Sequence, residues 1–199
     1  MTNKGVFICI EGLDGSGKTT QAKLLAKKLR KSHNAVYTTE PSQGKIGTFI
    51  RNSYLYGEKR LSSVIEALLF AADRIEHVET EVLPALHQGK LVISDRYLYS
   101  SLAYQGAAGL SLEWIEKINE HALRPDLAVF IDVDPKTAIH RLKPNKSLME
   151  NIETQQKVRK IYLKFVEKGS LTRINGDQPK NEVAQELYAV VMKFLNASR

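Results

Sequence analysis

Short, mainly apolar runs alternate along this chain with longer stretches whose apolar residues recur at helical spacing. Val6-Phe7-Ile8-Cys9-Ile10, Ala35 to Thr39, Lys90-Leu91-Val92-Ile93-Ser94 and Leu127-Ala128-Val129-Phe130-Ile131 are predicted as strands. Leu171 to Ile174 is a weaker fifth. Between them, Thr19 to Lys31 carries Ala22, Leu25, Ala26 and Leu29 on one helical face. Leu61 to Leu86 is a long helical stretch with Pro84 in its last turn. Further helices are predicted over Ser111 to Ala122, Pro135 to Leu142, Glu150 to Lys168 and Pro179 to Leu195.

Strands without polar alternation are buried on both faces, and helices between them do the burying. The expected fold class is therefore α/β: three layers, α/β/α, around a central, mostly parallel five-stranded sheet. The chain has 199 residues and no repeat, low-complexity tract or linker, so a single domain spanning 1–199 is expected. Ligands of such sheets sit beyond the C-terminal strand ends. The chemistry should cluster just after Ile10, Thr39, Ser94 and Ile131.

Composition narrows the picture only a little. No apolar run is long enough to span a bilayer, and no signal peptide is seen, so no membrane is expected. One cysteine, Cys9, cannot form an internal disulfide, which fits a cytoplasmic location. The net charge of +7 would suit a nucleic acid. The densest basic group (Lys23, Lys27, Lys28, Arg30, Lys31) instead ends a predicted helix, where cations complement the dipole. No basic-aromatic stripe accompanies it, so no nucleic acid partner is expected.

The most specific signal is Gly12-Leu13-Asp14-Gly15-Ser16-Gly17-Lys18-Thr19, a phosphate-loop pattern between a strand and a helix. Its glycines let backbone N–H groups point inward around a phosphate, and the helix N-terminus adds a positive dipole end. Lys18 is placed to reach the β- and γ-phosphates of ATP, and Thr19 to ligate Mg²⁺. A second metal-side carboxylate is expected at a neighbouring strand end. Asp95 and Asp132 both qualify, and Asp95 is preferred because Arg96 follows it. Asp132 reads better as a strand-end or capping aspartate. Asn145-Lys146 is followed by Ser147-Leu148 and Asp95 by Arg96-Tyr97-Leu98, so the guanine-reading and switch motifs of GTPases are missing. A small-molecule kinase is the better fit.

Several segments together resemble the thymidylate kinase family: EGLDGSGKTT from Glu11 to Thr20, Glu40-Pro41, Leu69-Phe70-Ala71-Ala72-Asp73-Arg74, Asp95-Arg96-Tyr97 and Ser100-Ser101-Leu102-Ala103-Tyr104-Gln105-Gly106. They run in order from about residue 5 to 177. The resemblance implies a P-loop fold, transfer of the γ-phosphoryl group of ATP to dTMP with Mg²⁺, and a homodimer. It implies that the loop from Gly12 to Thr20 binds ATP and that Phe70 stacks on thymine while Arg74 bonds a thymine carbonyl. Arg51 and Arg96 hold the acceptor phosphate. Asp14 meets the sugar 3′-hydroxyl or orients an arginine, Tyr104 excludes a 2′-hydroxyl, Ser101 and Gln105 touch the base edge, and Glu40 organises Mg²⁺ and water. Lys18, Asp95, Arg96, Arg141 and Lys143 are catalytic, Asp95 by holding Arg96 or a metal-bound water. Thr19 and Asp95 form the metal site.

A lid is expected at about 141–150 (RLKPNKSLME). Arg141 is its one arginine, and the resemblance implies that it stacks over adenine. Lys143 or Lys146 then neutralises the transferring phosphoryl, with Arg159 as a further candidate. Asn175-Gly176-Asp177 resembles the loop beside adenine, where backbone at Gly176 reads the base. Thr39 stands where the family often has an arginine. A kinase for dUMP or UMP, a non-catalytic nucleotide-binding regulatory module and a nucleic-acid-dependent ATPase are the other readings left open by the residues.

Overall fold

A computed structural model describes residues 5–55, 61–142 and 152–197. Five strands form one sheet: β1 (Val6–Gly12), β2 (Ala35–Thr39), β3 (Leu91–Asp95), β4 (Leu127–Asp132) and β5 (Thr172–Asn175). Their order is β2-β3-β1-β4-β5 and every neighbouring pair is parallel. β1 lies at the centre because it is apolar on both faces: Phe7, Ile8, Cys9 and Ile10 are all fully buried. β3 follows the same rule, with all five residues buried.

The helices are α1 (Lys18–His33), α2 (Lys45–Phe49), α3 (Ser63–His77), α4 (Leu83–His87), α5 (Leu98–Ala107), α6 (Leu112–Ile118), α7 (Pro135–His140), α8 (Ile152–Glu167) and α9 (Lys180–Ala197). They cover both faces of the sheet, the three-layer α/β/α arrangement expected. α1 turns Ala22, Leu25, Ala26 and Leu29 into the core, as its spacing predicts. It ends at Asn34, which takes the left-handed conformation. No helix among the described residues is long and apolar enough to cross a membrane.

Two helical features depart from the pattern reading. The long stretch is helical from Ser63 to His87 but not uniformly α: Val78–Val82 winds as a wider π-helical turn between α3 and α4. There the Leu83 N–H reaches back to the Val78 carbonyl, just ahead of Pro84, whose missing N–H is accommodated near the start of α4. The second departure is α5, for which the pattern predicts no helix. Seven of its residues, Leu98 and Ser100 to Gln105, are buried, so it is covered nearly all round and shows no amphipathic period. The short α2 and the π-helical segment Ile50–Leu55 that continues it also lack a periodic signal.

Topology places the site. Crossing connections leave β1 with β3 on one side and β4 on the other, and the loop after β1 opens between their C-terminal ends. Asp95, Arg96 and Asp132 follow from β3 and β4 at the same edge. Of the expected lid at 141–150, Arg141 and Leu142 are described; Lys143 and Lys146 lie outside the described residues.

Candidate active site

Gly12 to Thr19 wraps the end of β1 and runs into α1. Gly15 and Gly17 have φ of +84° and +86°, a conformation other residues rarely adopt. Gly15 also packs tightly: a Cβ there would lie 2.0 Å from the Ala138 carbonyl oxygen. The loop is closed by the Ser16 N–H donating to the Leu13 carbonyl at 3.1 Å. Lys18 curls back over it, its ammonium donating to the Leu13 carbonyl at 3.0 Å and to Asp14 at 3.4 Å. Burial, and then the charge of Arg96, hold the Lys18 amine below its ordinary pKa.

Thr19 and Asp95 meet. The Thr19 hydroxyl donates to Asp95 Oδ2 at 2.5 Å. Asp95 Oδ1 is buried and accepts no hydrogen bond among the described residues. The Tyr37 hydroxyl approaches Asp95 Oδ2 at 3.4 Å, and burial with that neighbouring carboxylate pushes it up to about 12.

Arg96 follows Asp95 in a left-handed turn, φ +70°. Its guanidinium pairs with Asp14 in the loop, donates to Ser100 Oγ at 3.0 Å and lies over the Tyr104 ring, 5.0 Å from its centre. Burial would raise the Asp14 carboxyl, but the charges of Arg96 and Lys18 prevail and hold it at about 2. The Tyr104 hydroxyl accepts the Asp14 N–H at 2.9 Å. Arg96 is thus oriented by Asp14, the alternative the resemblance left open for that aspartate; Asp95 is joined to Thr19 instead.

A second cluster lies between α3, α5 and the end of β2. Arg74 is 1% exposed. It donates to Glu40 Oε2 from two nitrogens at 3.0 and 2.7 Å, to Asn119 at 2.5 Å and to Ser101 at 3.0 Å. The other Glu40 oxygen lies 3.2 Å from His77 Nδ1. Gln105 donates to Glu66 at 3.0 Å, and its own amide oxygen is buried without a hydrogen bond among the described residues. Phe70 is half-buried on α3, one turn before Arg74. Arg51 is held at the neighbouring loop, donating to the Pro41 carbonyl at 2.5 Å and to Gln43 at 3.2 Å.

On the far side, both terminal nitrogens of Arg141 lie 3.4 Å from the Gly176 carbonyl, so Arg141 and the Asn175-Gly176-Asp177 loop are brought together. Arg159 is committed elsewhere. It pairs with Asp132 at 2.7 Å, and Arg173 does the same. Asp132 therefore has the structural part that its strand-end position suggests.

Sequence reasoning gave no role to Glu11, Ser100 or Tyr162. Glu11 is fully buried and accepts the Tyr97 N–H at 3.0 Å, the Ser100 hydroxyl at 2.6 Å and the Tyr162 hydroxyl at 3.0 Å. Burial outweighs these partners and pushes its carboxyl up to about 7. The available signal was a charged residue continuing an otherwise apolar strand.

Comparison with known proteins gives the family. A family model described as thymidylate kinase matches residues 10–187. A probable thymidylate kinase of Pyrococcus abyssi is 48% identical over 198 residues, covering 94% of this chain and 96% of that protein. One from Pyrococcus horikoshii is 50% identical over 173 residues, covering 82% and 84%. One from Pyrobaculum calidifontis is 42% identical over 197 residues, covering 98% and 100%. Matched by that family model over most of its length and by relatives at 42–50% identity, the chain belongs to the thymidylate kinase family and is a phosphotransferase.

Proposed function

We propose that this chain transfers the γ-phosphoryl group of ATP to dTMP, giving ADP and dTDP. The observation that carries the reading is the convergence of Lys18, the Thr19–Asp95 pair and the Asp14–Arg96 pair on one strand-end crevice. Donor-phosphate and acceptor-phosphate cations are thereby held a few side chains apart. The acceptor phosphate is already ionised, so the reaction needs positioning and charge neutralisation rather than a strong base. Lys18 and the loop N–H groups bind the ATP phosphates, and Arg141 with the Gly176 backbone takes the adenine side. Arg96 and Arg51 hold the acceptor phosphate. Phe70, Arg74, Ser101 and Gln105 form the base side, and Tyr104 crowds the sugar.

The donor set fits a divalent cation. Asp95 offers a buried oxygen that accepts no hydrogen bond among the described residues, beside a threonine hydroxyl. Thr19 and Asp95 would hold Mg²⁺, which when bound supplies positive charge to the β- and γ-phosphate oxygens. Lys143 or Lys146, both outside the described residues, would complete the charge. Glu40 is proposed to organise Mg²⁺ and water from a place where it pairs with Arg74 and lies 3.2 Å from His77.

The working unit is proposed to be a cytoplasmic homodimer. Val64, Ile65 and Leu68 project from α3 at 44, 47 and 47% exposure, a helical apolar stripe suited to a second copy.

The test is ADP release with ATP and Mg²⁺ against dTMP, dUMP, UMP, dCMP, AMP and GMP, with a no-acceptor blank. Strong preference for dTMP is expected. Turnover with another acceptor alone would discard the base-side assignment, and ATP binding without acceptor-dependent turnover would favour a non-catalytic module.

A further inference from the structure

Arg96 is an unusual residue to place with care. Its backbone sits at φ +70°, a conformation that residues other than glycine rarely adopt. Three hydrogen bonds hold the turn: the Arg96 N–H donates to Ile10 at 3.0 Å, Ser94 Oγ donates to the Arg96 carbonyl at 2.7 Å, and the next N–H, that of Tyr97, donates to Glu11 Oε1 at 3.0 Å. The side chain is held as deliberately. One end of the guanidinium meets Asp14; the other donates to Ser100 Oγ at 3.0 Å.

Ser100 has a single hydroxyl proton, and it goes to Glu11 Oε2 at 2.6 Å. That leaves the serine lone pairs to face Arg96. Glu11 therefore touches Arg96 twice without contacting it: Oε1 fixes the turn that carries it, and Oε2 sets the polarity of the hydroxyl that receives it. The third donor, Tyr162, comes from α8, the helix that follows the lid, and is fully buried.

We infer that Glu11 is a positioning residue for phosphoryl transfer, acting through Ser100 and the Tyr97 N–H to aim Arg96 at the acceptor phosphate. The inference rests on the proposed part of Arg96. Its consequences fall on the acceptor phosphate alone. Replacing the Glu11 carboxyl by an amide leaves the phosphate loop, the metal pair and the base side in place, because none of them hydrogen-bonds Glu11.

The test compares wild type, Glu11→Gln, Ser100→Ala, Arg96→Gln and the Glu11→Gln/Arg96→Gln double variant. It reads kcat and both KM values with ATP and dTMP, and calorimetric affinity for thymidine, which lacks the phosphate. Glu11→Gln and Ser100→Ala are expected to lose roughly tenfold or more in kcat/KM for dTMP, with thymidine affinity and the ATP KM unchanged. In the Arg96→Gln background Glu11→Gln should add nothing, since both act through one guanidinium. Full additivity, parallel loss of thymidine or ATP binding, or unchanged dTMP kinetics in Glu11→Gln would overturn the inference. If Glu11→Gln does not fold, Ser100→Ala, neutral and smaller by one oxygen, carries the same comparison. An Arg96→Gln enzyme as active as wild type would instead remove the Arg96 assignment, a result distinct from a silent Glu11.

Discussion

Single residues here combine burial with charge, and each combination predicts a measurable cost. Glu11 has a folded pKa of about 7 against an ordinary value of 4.5, raised by burial. A raised carboxyl means that the folded chain holds a proton the unfolded chain has released. Its stabilising contribution is complete below about pH 4.5 and is lost as pH climbs through about 7. Relative to wild type, Glu11→Gln should therefore gain stability between about pH 5 and about pH 8, by about 3 kcal/mol in denaturant titrations. A constant difference across that range would contradict the assignment. Arg74 makes the opposite case, a buried cation matched to Glu40, Asn119 and Ser101. Arg74→Leu strands the Glu40 charge beside His77 and should cost about 3–5 kcal/mol in the same titration. Sequence marked Lys18, Thr19 and Arg96 as chemistry because their spacing is fixed by the loop and strand that carry them. It did not mark the Arg74–Glu40 pair, whose members are 34 positions apart and meet only when α3 packs beside β2.

Elements were legible in proportion to how one-sided their burial is. β1, β3 and β4 are apolar up to their C-terminal ends and were readable to within two residues; α1 was readable from a single stripe. α5 was not, because a helix buried nearly all round, with Ser100, Ser101 and Gln105 inside, offers no period. The site suffers most from that gap, since α5 supplies Ser100, Ser101, Tyr104 and Gln105. The phosphate loop shows why motif glycines are not equivalent. Gly15 and Gly17 share a left-handed φ, but only Gly15 lies against another element, the Ala138 backbone of α7. A Cβ at Gly17 would meet nothing within 4 Å. Gly17→Ala should cost roughly 1–2 kcal/mol of backbone strain alone. Gly15→Ala adds a collision with a carbonyl and must displace α7, so its loss of thermal stability should be clearly the larger, as paired melting curves would show. Equal losses would mean that α7 moves freely against the loop.

At the scale of the whole molecule, one surface contrasts with the rest. α3 buries Glu66, Ala67, Ala71, Asp73, Arg74 and His77 inward while leaving Val64, Ile65 and Leu68 to solvent, with Leu61 just before it at 37% exposure. An amphipathic helix with a polar, hydrogen-bonded inner face and an apolar outer one is the reverse of what a monomer's stability asks for. The inner face is polar because it builds the base-side cluster. The outer face is apolar because a second copy is proposed to cover it, so substrate recognition and assembly would share one helix. An isologous pairing of such faces follows from two-fold symmetry. The free chain should therefore sediment at twice its 22.4 kDa. Leu68→Glu, which puts two like charges at the proposed seam and touches no hydrogen bond of the inner face, should shift it to a single-chain mass while far-UV circular dichroism is kept. Sedimentation of the wild type as a monomer at micromolar concentration would remove the dimer. Because Arg74 sits two turns along the same helix, the separated chain should also bind dTMP more weakly than the dimer, with its affinity recovering as concentration restores the pair.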